Sequence, residues 1–295
     1  MRIMKTKTMD SSFTGWCVFC MVCLVMAAAG AAAAGEPEIV LWPAGVPEPR
    51  VPAEPAEKVE KSAKDGISRR ANVSNPRLVV YDVPRTDPAR LRPAVIVVPG
   101  GGFGILADEH EGSDMCRWFN DRGLVAFLLL HRVPTNRHAE PNAGPVLDTQ
   151  EAVRIVRSRA AEFGLDPRKI ALLGFSAGGQ VALVAATRNP PEKPDCVLLV
   201  YPWKIVGEKN VGLRSDVVVD ASTPPMFIAQ AGNDPGSVPQ GSLNLYAALL
   251  TAKVPAELHI YEGGGHGFGL QKRENAPGTS DWPNRAVDWL RTRGW

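Results

Sequence analysis

Short runs rich in Val, Ile and Leu alternate with stretches whose apolar residues recur at helical spacing from about residue 76 to the last residue. The runs predict strands at 78–83, 94–98, 125–131, 170–174, 196–201, 226–231 and 256–261. Helices are predicted between them, at 112–121, 146–163, 177–187, 242–251 and 282–291. The second helix carries Val146, Val153, Val156 and Ala160 on one side and Arg154, Arg157 and Arg159 elsewhere, and Gly164 follows where a helix would stop. Strands alternating with amphipathic helices give the α/β class: a mostly parallel central sheet with helices on both faces. No internal repeat interrupts the pattern.

Ahead of this region the pattern changes twice. Between 35 and 75 the chain is rich in proline, and Pro37, Pro43, Pro47, Pro49, Pro52 and Pro55 rule out a long helix. This stretch is expected to be an arm running over the surface, with the alternating Glu and Lys between Glu54 and Lys64 forming a solvated face. Residues 1–34 have the three parts of a secretory signal: Arg2, Lys5 and Lys7, then an apolar run from Trp16 to Ala29, then Ala32, Ala33 and Ala34. The apolar run is shorter than the ~20 residues of a typical membrane span, so cleavage near Ala34 is expected rather than a retained anchor. The protein is then secreted or periplasmic, with the α/β domain at 76–295. Cys17, Cys20 and Cys23 have a metal-like spacing but lie inside the signal core, where no folded site would survive.

Composition adds little beyond exclusions. With 45% hydrophobic and 22% charged residues the chain has the make-up of a globular protein. Removing the leader takes away three basic residues and one acidic one, leaving 30 of each sign. A balanced charge gives no electrostatic reason to expect nucleic acid or an anionic membrane as partner. Two cysteines remain, Cys116 in a predicted helix and Cys196 in a predicted buried strand, and both are expected as free thiols.

The chemistry concentrates around one serine. Ile170-Ala171-Leu172-Leu173-Gly174-Phe175-Ser176-Ala177-Gly178-Gly179 is a buried strand entering Gly-x-Ser-x-Gly and then a helix. In a nucleophile elbow the serine occupies a strained strand-to-helix turn, and the flanking glycines let the two elements cross. The alternative is a turn whose serine merely caps the helix. What favours the elbow is that the rest of the machinery follows in the required order. A base is needed, and the chain after Ser176 offers His259 and His266. His259 sits within a predicted strand; His266 sits in Gly263-Gly264-Gly265-His266-Gly267-Phe268-Gly269, a loop that can reach over the sheet edge. Asp234 follows the penultimate strand, where a carboxylate would hold the histidine tautomer, whereas Asp216 and Asp220 precede that strand. Pro99-Gly100-Gly101-Gly102-Phe103-Gly104 follows an early strand, and Gly101 and Gly102, together with Ala177, are the expected oxyanion donors. This glycine run lacks the Gly-Lys-Ser/Thr ending of a nucleotide loop and the spacing of a dinucleotide fingerprint.

These residues resemble the secreted esterases of the α/β-hydrolase superfamily known as acetyl xylan esterase-like or carbohydrate esterase-like proteins. The resemblance runs from about Asn72 to Trp295 and is carried by Pro99-Gly100-Gly101-Gly102-Phe103, His110-Glu111-Gly112, the Gly174 to Gly179 elbow and the Gly263 to Gly269 loop. It implies Ser176 as nucleophile, His266 as base and Asp234 as acid, acting on a short acyl group such as acetyl on a plant polysaccharide. Phe103, His110, Glu111 and Phe175 are candidates for bordering the substrate, Glu111 having helix initiation as its plain alternative. Two departures from the family pattern stand out, Gln180 after the elbow and His131-Arg132 after the third strand, and Arg132 reads as an ion-pair partner. No cofactor or metal is implied. Rival readings weaken on inspection: the ~75 residues before the core cannot build a peptidase propeller whose single blade takes ~40–45 residues, and a non-catalytic binding protein would not need Ser176, Asp234 and His266 intact.

Overall fold

The computed structural model describes residues 36–63, 65–85, 87–188 and 192–295; the expected leader, with Cys17, Cys20 and Cys23, lies outside them. In chain order the elements are β1 (Glu38–Val40), β2 (Lys58–Lys61), β3 (Ser68–Ala71), β4 (Arg77–Tyr81), β5 (Arg92–Val98), α1 (Asp114–Asn120), β6 (Val125–Leu130), α2 (Ala143–Ser158) and α3 (Ala160–Phe163). There follow β7 (Leu165–Phe175), α4 (Ser176–Thr187), β8 (Cys196–Val200), β9 (Met226–Ala231), α5 (Pro239–Thr251), β10 (Ala256–Tyr261) and α6 (Trp282–Arg291).

Among the described residues, eight strands form one sheet in the order β1-β4-β6-β5-β7-β8-β9-β10. The six strands from β6 to β10 pair in parallel, while β4 and β1 run antiparallel at one edge. This is the mostly parallel sheet with covering helices that the alternation of apolar runs and helical stretches predicts. Because successive strand residues face opposite sides, Ala94, Ile96 and Val98 of β5 join one core with Val153 of α2, Val181 of α4 and Leu245 of α5. Val95 and Val97 join the other, with Met115 and Phe119 of α1 and Trp282 of α6. The chain order changes direction around β5, and β5 and β7 lie side by side, so their carboxyl ends open a crevice at the switch point where ligands of such sheets bind.

Several expected boundaries shift for local reasons. Helices α2 and α5 begin three residues earlier than predicted, with Pro145 and Pro239 in their first turns, where the missing N–H costs no helical bond. The single predicted helix over 146–163 is broken at Arg159 (φ −100°, ψ 14°), and α3 ends on Gly164 at φ +61°. The start of the predicted helix at 112 is a π-helical turn, Glu109–Ser113, that leads into α1.

The expected arm also carries strands: β1 extends the main sheet, and β2 and β3 form a hairpin whose Arg70 bridges to Leu106 beside the glycine loop. Glu57 accepts from Arg70 at 2.5 Å and from Arg77 at 2.7 Å, and the guanidinium groups hold its carboxyl below the usual range although burial opposes them. Lys58 and Glu60, in contrast, are the expected solvated pair. Cys116 and Cys196 are free and buried, and burial raises both thiols well above their ordinary value. No helix of the described residues is long and apolar enough to cross a membrane.

Candidate active site

Strand β7 delivers Ser176 to the carboxyl edge of the sheet and α4 starts there. The serine backbone has φ +49°, a left-handed conformation that is strained for a residue with a side chain. The turn is possible because a Cβ on Gly174 would lie 2.4 Å from the Gly178 carbonyl oxygen, and one on Gly178 would lie 2.2 Å from that of Val98. Both glycines are therefore required by close backbone approach.

Ser176 Oγ lies 2.8 Å from His266 Nε2, and His266 Nδ1 lies 2.8 Å from Asp234 Oδ2. Asp234 is buried after β9, and its Oδ1 accepts the amides of Gly236 and Ser237 at 2.8 Å each. Those two bonds orient the carboxylate so that Oδ2 faces the imidazole. With Nδ1–H donated to Asp234, the free lone pair of Nε2 faces the serine hydroxyl, which is the tautomer a general base needs. His259 stands apart in β10 with Nε2 2.7 Å from Glu257.

Gly264, Gly265, Gly267 and Gly269 of the histidine loop all hold positive φ, so the loop's order has to come from its neighbours. Arg273 donates to the carbonyl oxygens of Gly264 at 2.6 Å, His266 at 3.0 Å and Gly267 at 3.0 Å. Asn233 Oδ1 accepts Gly265 N–H at 2.8 Å, and Trp282 donates its indole N–H to Gly269 O at 2.8 Å. Neither Arg273 nor Asn233 stood out in the sequence, although both flank residues that did.

On the other side, the loop after β5 holds Gly101 at φ +134°, where a Cβ would lie 2.0 Å from Ile105 O. Gly100 N–H is donated to Glu111 Oε2 at 2.9 Å. Among the described residues, the amides of Gly101 and Gly102 donate to no protein acceptor, and that of Ala177 lies in the first turn of α4, where helical acceptors are absent. Gly101 and Gly102 line the cleft that contains Ser176, and Ala177 directly follows the serine at the start of α4.

A cleft of about 550 Å³ opens over Ser176, lined by Asp65, Ile67, Arg69, His110, Trp203 and Arg273 among others. His110 and Glu111 do border it. Phe103 and Phe175 do not. Phe175 points into the core below the sheet, against Tyr201 and Trp282, because β7 turns alternate side chains to that face. Phe103, at φ +63°, is buried with its ring 6.0 Å from that of Trp203. Gln180 is buried too, its side-chain amide donating to the carbonyls of Trp203 and Lys204 at 3.1 Å. Among the described residues no group of three or more His, Cys, Asp or Glu side chains is placed to hold a metal ion.

His131 lies directly behind the glycine loop, Nε2 at 3.3 Å from Pro99 O and Nδ1 at 3.2 Å from Arg132 O. Burial holds its pKa below the ordinary value despite these two acceptors. The unfolded chain therefore takes up the proton at a higher pH than the folded one, and stability is lost as pH falls below ~6.5. We expect the urea midpoint of the parent to drop between pH 6.5 and 5, and the drop to shrink in His131→Asn. An unchanged pH slope in the variant would contradict this.

The dienelactone hydrolase family matches residues 82–294. The chain is 32% identical over 202 residues to an acetylxylan esterase of Xylanibacter ruminicola, covering 60% of this chain and 41% of that one. It is 29% identical over 233 residues to endo-1,4-beta-xylanase B of Butyrivibrio fibrisolvens, covering 68% and 36%. This chain thus spans about two fifths of the length of these curated relatives. Among solved structures, the acetyl ester-xyloside bifunctional hydrolase of Caldicellulosiruptor lactoaceticus is 28% identical at a TM-score of 0.68, covering 90% of this chain and 98% of that one.

Proposed function

For a chain that belongs to the dienelactone hydrolase family, we propose the activity of a serine carboxylic ester hydrolase that removes acetyl or other short acyl groups from plant polysaccharide or its oligosaccharides. The observation that carries this reading is the continuous pair of 2.8 Å contacts from Ser176 through His266 to Asp234. In the proposed cycle His266 Nε2 takes the Ser176 proton as Oγ attacks the ester carbonyl. The oxyanion is held by the amides of Gly101, Gly102 and Ala177, and the protonated imidazole then gives its proton to the departing sugar oxygen. Water, deprotonated by the same nitrogen, releases the acyl group from Ser176.

Support for a carbohydrate ester comes from the cleft and from similarity. Arg69, Asp65, His110, Gln271 and Arg273 present polar groups around the serine, with Trp203 as a flat apolar face, a lining suited to a hydroxyl-rich alcohol. Similar proteins include an acetylxylan esterase and an acetyl ester-xyloside bifunctional hydrolase. The test is acetate release from acetylated xylan, compared with 4-nitrophenyl esters of increasing acyl length. We expect kcat/KM to be highest for acetyl and to fall by roughly 10⁴-fold or more in Ser176→Ala; release near the parental rate without Ser176, or a preference for long acyl chains, defeats the proposal. Export by the leader at 1–34 belongs to the same reading, and N-terminal sequencing of protein recovered outside the cytoplasm should begin near residue 35.

A further inference from the structure

Two buried titratable side chains next to the site have no part in the acyl transfer just described. Glu111, in the π-helical turn, is 3% exposed; Tyr201, just after β8, is fully buried. Glu111 Oε2 accepts the Gly100 amide at 2.9 Å, and its Oε1 accepts the Tyr201 hydroxyl at 2.9 Å. The Tyr201 oxygen in turn accepts the Gly269 amide at 3.0 Å. One unbroken line of hydrogen bonds therefore runs from the strand end that carries the oxyanion loop to the last glycine of the histidine loop.

We propose that Glu111 and Tyr201 are positioning residues: a strut that holds the oxyanion loop and the His266 loop at a fixed separation across Ser176. The inference rests on the serine hydrolase reading above and concerns how its two halves are kept in register.

Four observations carry it. First, the directions of donation leave no slack: both amides can only donate, the phenol gives its single proton to Glu111, and both carboxylate oxygens accept. Second, the strut passes directly beneath the nucleophile, since a Cβ on Gly100 would lie 2.7 Å from Ser176 Cβ and 2.8 Å from Glu111 Oε2. Third, the Tyr201 ring meets the His266 ring edge-on at 5.1 Å and the Phe268 ring at 4.5 Å, so the same residue braces the base and its loop. Fourth, Tyr201 holds φ +40°, a left-handed backbone unfavourable for an aromatic residue, and this strained placement is retained where the hydroxyl reaches both partners. Burial, and then the neighbouring Glu111 carboxylate, push the phenol well above its ordinary pKa, so it stays a donor.

The geometry makes these contacts a series, and a series has a signature. Tyr201→Phe keeps the ring packing and removes only the hydroxyl; Glu111→Gln keeps volume but offers an amide where two donors converge. With 4-nitrophenyl acetate, each variant should lower kcat by about tenfold to hundredfold, the scale of a misplacement near 1 Å, while KM stays within twofold. The double variant should be no slower than the slower single one, because a broken strut cannot be broken again. A second readout needs no substrate: the low-field proton resonance of the His266–Asp234 hydrogen bond should broaden or disappear in Tyr201→Phe.

Unchanged kcat with a lowered melting temperature would reduce the pair to scaffold and overturn the proposal, as would losses that multiply in the double variant. If Glu111→Gln does not fold, Tyr201→Phe carries the decision. If the parent shows no Ser176-dependent turnover, the esterase reading fails separately, and the low-field resonance alone then decides whether the strut orders the histidine; an identical resonance in parent and Tyr201→Phe rejects it.

Discussion

Ser176→Ala is expected to lower kcat for acyl ester hydrolysis by roughly 10⁴-fold to 10⁶-fold, with His266→Ala similar and the double variant hardly worse than either. The reason is geometric. Oγ becomes a nucleophile only because Nε2 stands 2.8 Å away with its lone pair free, and that lone pair is free because Asp234 holds the opposite proton. Removing either partner ends covalent catalysis, and what survives is the contribution of the Gly101, Gly102 and Ala177 amides to water attack. Asp234→Asn should cost about 10⁴-fold while leaving the fold intact, since its amide group favours the wrong imidazole tautomer. Steady-state rates corrected by fluorophosphonate titration of active serine check all three. Near-parental turnover in a folded Ser176→Ala protein would show that the chemistry lies elsewhere.

The largest stability effect is expected at Asp148. This carboxylate and Arg132 have side chains with no solvent exposure, joined at 2.5 Å and 2.9 Å. Asp148 also accepts the Trp42 indole N–H at 2.7 Å and the Arg132 amide at 3.0 Å, and Arg132 donates to the carbonyls of Pro47 and Pro49 at 2.6 Å and 2.8 Å. Asp148→Ala strands a guanidinium in the interior and should cost about 3–5 kcal/mol, read as a shift of the urea midpoint. Replacing both partners by apolar residues should cost less than Asp148→Ala alone, because no unpaired charge is left behind. A loss below 1 kcal/mol in Asp148→Ala, on the scale of surface pairs, would mean that the pair is solvated in the working protein.

How much of this could be read from the chain depended on whether a constraint was local. Gly174, Ser176 and Gly178 announce the elbow because the crossing of β7 and α4 is decided within five residues. His266 was legible because few histidines follow the serine and one of them stands among glycines, and Asp234 because it follows a clear strand. The strut was not legible: Glu111 and Tyr201 lie ninety positions apart and meet only when β5 and β8 take their places on either side of β7. Glu111 was read as a helix starter or a pocket residue, whereas it borders the cleft and ties Gly100 to Tyr201. Phe175 and Phe103 were misassigned for the opposite reason, since proximity in sequence to Ser176 and Gly102 says nothing about which way a side chain turns. In the arm the strands were not legible because β1 has three residues and β2 and β3, Lys58–Lys61 and Ser68–Ala71, are mostly charged or polar; they are held by pairing and by Glu57 rather than by propensity.

The β2–β3 hairpin has a consequence for how such an enzyme can change. Asp65, Ile67 and Arg69, which overhang the cleft, belong to a two-stranded flap outside the main sheet, whereas Ser176, Asp234 and His266 are all anchored at that sheet's carboxyl rim. Part of the cleft's lining thus comes from outside the body that carries the triad, while His110, Trp203, Gln271 and Arg273 line it from within that body. Exchange of the segment 65–69 is then expected to alter which alcohol group the proposed esterase accepts, with the rate of acyl transfer at Ser176 left near its former value.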